Sequence, residues 1–546
     1  MQLIRLAVLG CAMVACAGTA AAQASGPVST LVDAATAIPT TGGAAVVGVA
    51  NTRRDPGTGL IDVLLTPDPA LRAEPIVDPE ATDVAAGILR RLQASGTAAG
   101  LAGVLYDNRD SGHSALSRSR FPQLAHTDYD DALRQQGVHH GVAGRVRFSL
   151  PVVGNSSTAL TSGPIARSLG RLAMADQAAA LRSYRLFVSN HLYVYPEHRD
   201  YDPETGDRLQ ANVPYFLLSQ GSSRSDRPFV RTALEIVAGL TPDTRAAAEA
   251  SGRLPATVQA VMRRTLDGVN SDAQYLSPLA HPPVFTGSAL RPALAVRYAN
   301  SLAPETLPPL VTLSVERDFA ARPGVDYLAG NLGEILFTTP MAVARAWRSF
   351  AHDRRVTLRA AITPVADGAT TPRFHWILLQ GDPDRVTIRP RDGAGDVADI
   401  DIAWHDRFPV APGRPMLTPR VDVAVIADAG GAMSAPAVFS VLFPTHQART
   451  YVPGPDGTPV LTELSYARPA SSGEYADPLV WPSAPWRDVL VRDGDGRLVG
   501  IDRTHDDGTQ HVLKYVPEGW RMEDGQILRH AARAARQGVL ELEMAP

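Results

Sequence analysis

The residue types best suited to chemistry concentrate in three polar clusters in the first half of the chain. The first cluster follows the apolar stretch 101–105, which predicts a buried strand, and catalytic groups often lie just past the carboxyl end of a strand. Its candidate catalytic residues are Asp107, Arg109, Asp110 and His113, with Asn108 as a substrate-binding residue. Two carboxylates beside an arginine and a histidine suit general acid–base catalysis. The same residues also fit a solvated loop held by an Arg–Asp ion pair.

The second cluster combines ionisable side chains with aromatic rings over residues 193–207. Such a mixture fits a sugar or peptide cleft, because paired carboxylates can divide into acid and base where their environments differ. Its candidate catalytic residues are Glu197, His198 and Asp200, and its candidate substrate-binding residues are Tyr193, Tyr195 and Arg199. Asp200, Asp202 and Asp207 could instead bind calcium. The stretch 203–206 also reads as a plain turn, which needs no metal.

The third cluster lies on a tight turn between an apolar strand, 213–219, and a helix expected to continue through Leu240. A serine on such a turn is the setting of a nucleophile elbow, where free N–H groups at the helix start stabilise an oxyanion. Ser223 is the candidate nucleophile, although Ser225 stands where that motif has its second glycine. Alternatively, the same free N–H groups hold a carboxylate, sulfate or phosphate of a substrate, with Ser222, Ser225 and Asp226 as candidate substrate-binding residues. In the third interpretation the turn is only an N-cap, with Ser225 or Asp226 capping the helix.

A mixed α/β domain, residues 23–282, is expected to position these clusters. β-Branched residues predict strands at 46–49, 61–65 and 146–150, and apolar spacing predicts helices at 85–93, 164–177, 228–240 and 254–266. No HExxH motif occurs, and His139 and His140, as neighbours on a strand, would point to opposite sides. The sequence therefore predicts no metal site and no cofactor, apart from the calcium alternative.

The second half of the chain predicts mainly short strands. Residues 283–350 form a proline-rich connection with a helix, 341–350, expected after Thr339-Pro340. Six short strands then follow at close intervals, which is typical of an all-β sandwich at 351–450. A β-meander with Asp-Gly turns and a terminal helix, 526–536, is expected over residues 451–546.

The segments Phe374-His375-Trp376, Gly381-Asp382-Pro383 and Ile400-Asp401-Ile402-Ala403-Trp404 resemble the PKD and immunoglobulin-like modules of secreted bacterial proteins. The resemblance covers about residues 350–445 and implies a β-sandwich that serves as a spacer or binding module, with Trp376 in the place of the tryptophan buried between the two sheets. It carries over no catalytic residue. The segments 190–200 and 219–223 also look similar to large secreted bacterial proteins, and that likeness implies no activity.

The first 22 residues predict export from the bacterial cytoplasm. Arg5, the apolar run 6–17 and Ala20-Ala21-Ala22 form the three parts of a secretory signal peptide. The run is shorter than the roughly 20 residues that a spanning helix needs, so a periplasmic or extracellular protein without a membrane span is expected. In an alternative interpretation, residues 13–16 form a lipobox and Cys16 carries a lipid anchor. Both cysteines, Cys11 and Cys16, precede the cleavage site, so a mature chain would have no thiol.

Charge and composition exclude some functions and leave two hypotheses. The net charge is −4, and no basic patch interleaved with aromatic residues supports nucleic-acid binding. The first hypothesis is a secreted hydrolase that acts on an extracellular polymer, either a glycan or an ester or peptide. The second is a non-catalytic surface or scaffold protein that binds a ligand. If Asp107, Asp110, Glu197, Asp200 and Ser223 converge in one pocket, the first hypothesis gains support.

Overall fold

The computed structural model describes residues 35–141, 145–156, 173–174, 176–197, 200–204, 206–222, 224–362, 371–467, 480–482, 484–534 and 540–546. The expected signal peptide, Cys16, residues 164–172 and 175 of the expected helix at 164–177, and the candidate residues His198, Arg199 and Ser223 lie outside this part of the chain. Within it, no helix is long and apolar enough to cross a membrane.

A six-stranded parallel sheet forms the centre of the N-terminal α/β region. Its strands in chain order are β1 (Ala44–Val47), β2 (Leu105–Asn108), β3 (Ala125–Tyr129), β4 (Val152–Asn155), β5 (His191–Glu197) and β6 (Phe216–Gln220). Their spatial order is β6-β5-β4-β2-β3-β1. From β2 the chain continues to one side, and from β4 it continues to the other. The carboxyl ends of β2 and β4 therefore flank a topological switch point, which is where open α/β sheets bind ligands.

The helices of this region are α1 (Val84–Ala94), α2 (Asp131–Gln135), α3 (Gln177–Val188), α4 (Arg227–Gly239), α5 (Pro242–Ala250), α6 (Leu254–Arg264), α7 (Asp272–Tyr275) and α8 (Pro292–Ser301). Three of them, α1, α4 and α6, begin and end within two residues of the predicted 85–93, 228–240 and 254–266, and the other five were not predicted. The helices α1, α4, α6 and α8 bury apolar side chains against one face of the sheet. The helix α8 lies beyond residue 282, yet Ala295, Val296 and Ala299 belong to this same core. Short strands border the sheet at 38–39, 52–54, 61–63, 65–66, 146–148, 201–202 and 206–207.

The second half is rich in β-structure. Its first strands are β7 (Val311–Arg317), β8 (Ile335–Thr338), β9 (Ala342–Ala346), β10 (Asp353–Ile362), β11 (Arg373–Gln380), β12 (Val386–Pro390), β13 (Val397–Ala403), β14 (Arg420–Ala429) and β15 (Ala437–Leu442). They form one sheet in the order β7-β10-β13-β12 and another in the order β8-β9-β15-β14-β11, with further short pairings at 408–409, 417–418 and 432–433. The two sheets share a core that includes Val356, Val423 and Phe439.

The tryptophans of these strands are buried to different degrees. Trp347 and Trp404 are 0% and 4% exposed and contact Phe443. Trp376 is only partly buried and donates a hydrogen bond from Nε1 to the Gly395 carbonyl at 2.6 Å. Membership in the PKD or immunoglobulin-like class stays a prediction.

The C-terminal region is one long curled sheet of nine strands. Its strands are β16 (Gln447–Pro453), β17 (Pro459–Tyr466), β18 (Val480–Pro482), β19 (Trp486–Arg492), β20 (Leu498–His505), β21 (Gln510–Val516), β22 (Gly519–Arg521), β23 (Ile527–Ala534) and β24 (Leu540–Ala545). The three expected meander strands are β19, β20 and β21, and they pair as antiparallel neighbours.

Two helices expected in this half are strands instead. The expected helix 341–350 contains β9, whose five residues, Arg345 among them, are all buried. Because β9 pairs with β8 on one side and with β15 on the other, it is a central strand. The expected helix 526–536 contains β23. Pairing with β22 and β24 outweighs the helix propensity of its alanine-rich sequence.

Candidate functional site

The carboxyl edge of the central sheet brings together the polar residues of all three clusters. Asp107 and Asn108 end β2, Asn155 ends β4, Glu197 ends β5, and Gln220 ends β6 just before the turn that leads to α4. Because these strands are neighbours and parallel, their ends meet at one edge. Asp107, Asp110, Glu197, Asp200 and Asp226 are each at most 6% exposed. Burial of so many carboxylates at one edge is costly and is typical of functional sites.

On one face of the sheet, Asp107 is fully occupied by hydroxyl donors. Its Oδ2 accepts a hydrogen bond from the Tyr193 hydroxyl at 2.6 Å, and its Oδ1 accepts from Thr127 Oγ1 at 2.8 Å and the Tyr129 hydroxyl at 3.1 Å. Gly154 permits the approach of Tyr193, because a Cβ at this position would lie 2.6 Å from Tyr193 Cε1. Burial, with Asp107 next in effect, raises the pKa of Tyr193 and Tyr129 far above the usual tyrosine range, so both hydroxyls stay protonated donors.

Arg109 joins this network as a buried cation. Its Nη1 lies 3.7 Å from Asp107 Oδ2 and donates to the Tyr129 hydroxyl at 3.0 Å, while Nη2 donates to the carbonyls of Val138 and His140 at 2.8 and 3.2 Å. The expected Arg–Asp pair therefore exists, but it is buried within the fold and not part of a solvated loop. These contacts make Asp107, Arg109 and Tyr193 structural supports of the edge.

On the opposite face, Asn155 connects Tyr106 with Asp226. The Tyr106 hydroxyl donates to Asn155 Oδ1 at 2.7 Å, and Asn155 Nδ2 donates to Asp226 Oδ2 at 2.8 Å. Asp226 Oδ1 is buried and has no partner at hydrogen-bonding geometry in the described part of the chain. Burial raises the pKa of Asp226, the charge of Asp110 raises it further, and hydrogen bonding by Ser114 and Asn155 opposes the rise. Asp110 is therefore close enough to influence the protonation of Asp226.

The turn before α4 has the strand-to-helix geometry of the third cluster, but not the expected cap. Asp226 is the N-cap residue of α4 and makes no side-chain cap hydrogen bond, because its carboxyl is turned towards Asn155. Gly221 and Arg224 have φ of +121° and +80°, and the Arg224 amide donates to Ser114 Oγ at 2.8 Å. Ser225 Oγ lies 3.0 Å from Ser219 Oγ, and Ser222 is exposed. Neither Ser222 nor Ser225 has a histidine partner among the described residues.

The remaining candidates divide between the edge and other places. Glu197 and Asp200 lie together, with the Asp200 amide donating to Glu197 Oε1 at 3.2 Å. Asn108 Nδ2 donates to the Tyr106 hydroxyl at 3.2 Å, which holds Asn108 beside the Asn155 network. His113 is exposed on the loop after β2, and Tyr195 packs in the core against Phe216 with ring centroids 5.1 Å apart.

The calcium alternative does not fit the position of Asp207. Its Oδ1 lies 3.0 Å from Arg420 Nη1, both side chains are fully buried, and its Oδ2 accepts from Thr418 Oγ1 at 3.0 Å. An arginine thus occupies the place where a cation would have to bind. Among the described residues, no three His, Cys, Asp or Glu side chains are placed to hold a metal ion.

A cavity of about 550 Å³ opens at the carboxyl ends of β2 and β3. Its wall includes Tyr106, Asn108, His126 and Thr127. His126 is 7% exposed, its Nε2 has no hydrogen-bond partner, and burial lowers its pKa to about 4, so the ring is neutral near pH 7. Sequence reasoning missed both His126 and Asn155. Asn155 follows a short apolar segment that ends at this edge, whereas His126 is the second residue of β3 and has no such signal.

The comparisons with known proteins add little to this geometry. No protein-family model matches the sequence, and no curated protein matches it. Among solved structures, the chain is weakly similar to a nucleoside hydrolase-related protein from Saccharophagus degradans that is associated with carbohydrate metabolism. The TM-score is 0.18 and the identity 10%, over 54% of this chain and 71% of the other.

Proposed function

We propose that this protein is a hydrolase that cleaves glycosidic bonds of an extracellular polymer at the carboxyl edge of its parallel sheet. The observation that carries the proposal is the environment of Asp226. Its carboxyl is fully buried, accepts a hydrogen bond from Asn155, lies close to Ser114, and has a raised pKa beside a second carboxylate, Asp110.

Two carboxylates with different protonation states supply the chemistry of glycoside hydrolysis. A carboxyl with a raised pKa keeps its proton closer to neutral pH and can donate it to the leaving-group oxygen. A neighbouring ionised carboxylate can then activate water or attack the sugar carbon. In this proposal Asp226 is the general acid and Asp110 is the second carboxylate. Asn155 is a positioning residue, because it fixes the carboxyl of Asp226 without touching the substrate.

A serine mechanism receives less support from the described residues. A nucleophilic serine needs a histidine within hydrogen-bonding distance, and Ser225 Oγ instead pairs with Ser219 Oγ. Glu197 and Asp200 extend the acidic edge along β5, where they can contact further sugar units of the polymer.

The non-catalytic alternative is supported by the complete burial of Asp226, at 0% exposure. A carboxyl without solvent contact could support a binding surface without reacting.

The export pattern of the first 22 residues supports action outside the cytoplasm. In the proposed arrangement, the strands β7–β15 form a spacer or glycan-binding module.

The test is hydrolysis by the full chain, with variants at the proposed acid and its partner. Reducing-sugar release is measured on a panel of polysaccharides, with aryl glycosides and aryl esters in parallel. We expect Asp226→Asn and Asp110→Asn to lower kcat by about 100-fold or more, as loss of a general acid or base does. Asp243→Asn, at an exposed position of α5, is the control. Ester cleavage alone, or full glycosidase activity in Asp226→Asn, would refute the assignment.

A further inference from the structure

The cavity beside β2 and β3 contains positive charge without a carboxylate in its wall. Arg118 and Arg134 are the charged residues of this wall, and no Asp or Glu is among its described residues. Arg134 Nη2 is paired with Asp128 Oδ1 at 2.8 Å. Arg118 Nη1 donates to the Gly43 carbonyl at 3.0 Å, and within the described ranges Arg118 forms no ion pair. Asp107 lies behind the wall, where Arg109 and three hydroxyl groups compensate its charge. The free charge of the cavity is therefore the guanidinium of Arg118.

Two residues of the loop along the cavity wall have a left-handed backbone. Ser111 has a φ of +50° and Gly112 a φ of +86°, and both residues line the cavity. A non-glycine residue in the left-handed region is strained, and such residues occur often in functional loops. The amides of Ser111 and Gly112 donate no hydrogen bond within the described part of the chain. Consecutive amides that point into a concavity bind anions.

A buried, unpartnered imidazole completes the site. Nε2 of His126 is buried without a hydrogen-bond partner among the described residues, and the ring packs edge-on against Tyr106 with centroids 5.0 Å apart. Burying a polar nitrogen without a hydrogen bond is unfavourable, and a ligand oxygen or hydroxyl would supply the missing bond. A neutral imidazole can bond to an acid group or to a sugar hydroxyl.

We propose that this cavity is a subsite for an acidic sugar, whose carboxylate or sulfate binds Arg118 and the amides of Ser111 and Gly112. The proposal rests on the proposed function and names its substrate class: an acidic glycan. The Tyr106 hydroxyl donates to Asn155, and Asn155 donates to Asp226, so the subsite and the proposed acid share one hydrogen-bonded support. A polymer bound at the subsite would present its next linkage towards the Asp226 side of the loop.

The test measures binding and not turnover, so that it does not depend on catalysis. Calorimetric titrations use a trigalacturonate as the carboxylated probe, a sulfated galactose oligomer as the sulfated probe, and neutral galactotriose as the reference. We expect the wild type to bind one acidic probe at least tenfold more tightly than galactotriose, and this preference to weaken as salt rises from 20 to 300 mM. The acidic probe with the higher affinity identifies the acid group.

Arg118→Gln is the variant and Arg72→Gln the matched control, since both arginines are exposed and Arg72 lies outside the cavity wall. Arg118→Gln should weaken binding of the acidic probe about tenfold or more, as loss of a charged hydrogen bond does, and leave galactotriose binding unchanged. Equal binding of acidic and neutral probes, or an acidic-probe affinity that Arg118→Gln does not change, would overturn the subsite. If the protein binds the acidic probe selectively but hydrolyses no substrate, the subsite is supported and the hydrolase is rejected. If it hydrolyses neutral glycans and shows no preference for acidic probes, the hydrolase is supported and the subsite is rejected.

Discussion

His191 makes the stability of the parallel sheet dependent on pH in a way that can be calculated. Its ring is 1% exposed at the start of β5, Nδ1 lies 2.6 Å from the Ser189 carbonyl, and Nε2 accepts a hydrogen bond from the Phe148 amide at 2.9 Å. These partners fix the neutral tautomer with its proton on Nδ1. Protonation of Nε2 would break the bond to Phe148. Burial accordingly lowers the pKa of His191 to about 4.

The linkage between proton binding and folding gives the sign and size of the pH effect on stability. Because the folded-state pKa is lower than the unfolded value of about 6.5, the unfolded state binds more protons as the pH falls, and stability is lost from pH 6.5 towards pH 4. Between pH 7 and pH 4.5 this one residue should reduce the free energy of unfolding by about 2.5 kcal/mol. Other buried histidines, His281 and His446, have lowered pKa values and add to the slope.

The measurement compares the pH dependence of wild type and His191→Gln. Hydrogen exchange of peptides from β4 and β5, corrected for the intrinsic exchange rates, gives the opening free energy at pH 7 and pH 4.5. Glutamine keeps an acceptor for Phe148 but cannot titrate, so the difference between the two pH values should shrink by about 2.5 kcal/mol. His511→Gln, on a partly exposed strand, serves as the control and should keep the wild-type difference. An unchanged difference in His191→Gln would refute the argument.

Three further substitutions test the roles of the buried carboxylates. Asp207→Ala should lower the free energy of unfolding by about 3–5 kcal/mol in urea titrations, because it removes an acceptor from the fully buried Arg420, while the exposed Asp495→Ala should have little effect. Asp107→Asn should cost about 3 kcal/mol in the same titrations, since three hydroxyl donors and Arg109 lose a charged acceptor; a smaller cost than that of Asp495→Ala would contradict this support role. Asp226→Asn should leave stability at pH 7 unchanged or higher, because a carboxyl with a raised pKa destabilises the fold above that pKa. A large loss of thermal stability in Asp226→Asn would identify Asp226 as a structural residue.

Local sequence patterns predicted much of the fold because they report local burial. The helix over residues 228–240 and the strands over 356–362 and 421–427 were recognisable from apolar spacing, and they match α4, β10 and β14 within a few residues. The strand β9 was predicted as a helix because Thr339-Pro340 is a good helix start and Ala342–Ala346 has no period. Its strand structure depends on pairing with β8 and β15, and the local sequence does not show which strands will be its neighbours.

Residues of the candidate site could be predicted from the sequence when they end a buried strand. Residues whose role depends on which strands are neighbours in the sheet could not. Asp107 and Glu197 could be proposed because each follows a buried strand, and neighbouring parallel strands bring such residues to one edge. The contribution of Asn155 depends on β4 lying between β2 and β5, which is a property of the strand order. His126 lies in a segment with no catalytic motif, and only the cavity reveals it.

The position of the Asp226 side chain distinguishes between two interpretations of the third cluster, a helix N-cap and a functional site. An Asp at this position would satisfy helix N–H groups by capping α4, which typically stabilises a protein by about 1 kcal/mol. The carboxyl instead forgoes that cap, bonds to Asn155, which is 71 positions away in the sequence, and stays buried with a raised pKa. Stability alone would favour the cap. We therefore infer that the position of Asp226 serves the carboxyl edge of the sheet, where a proton donor is of use, and not the helix that it begins.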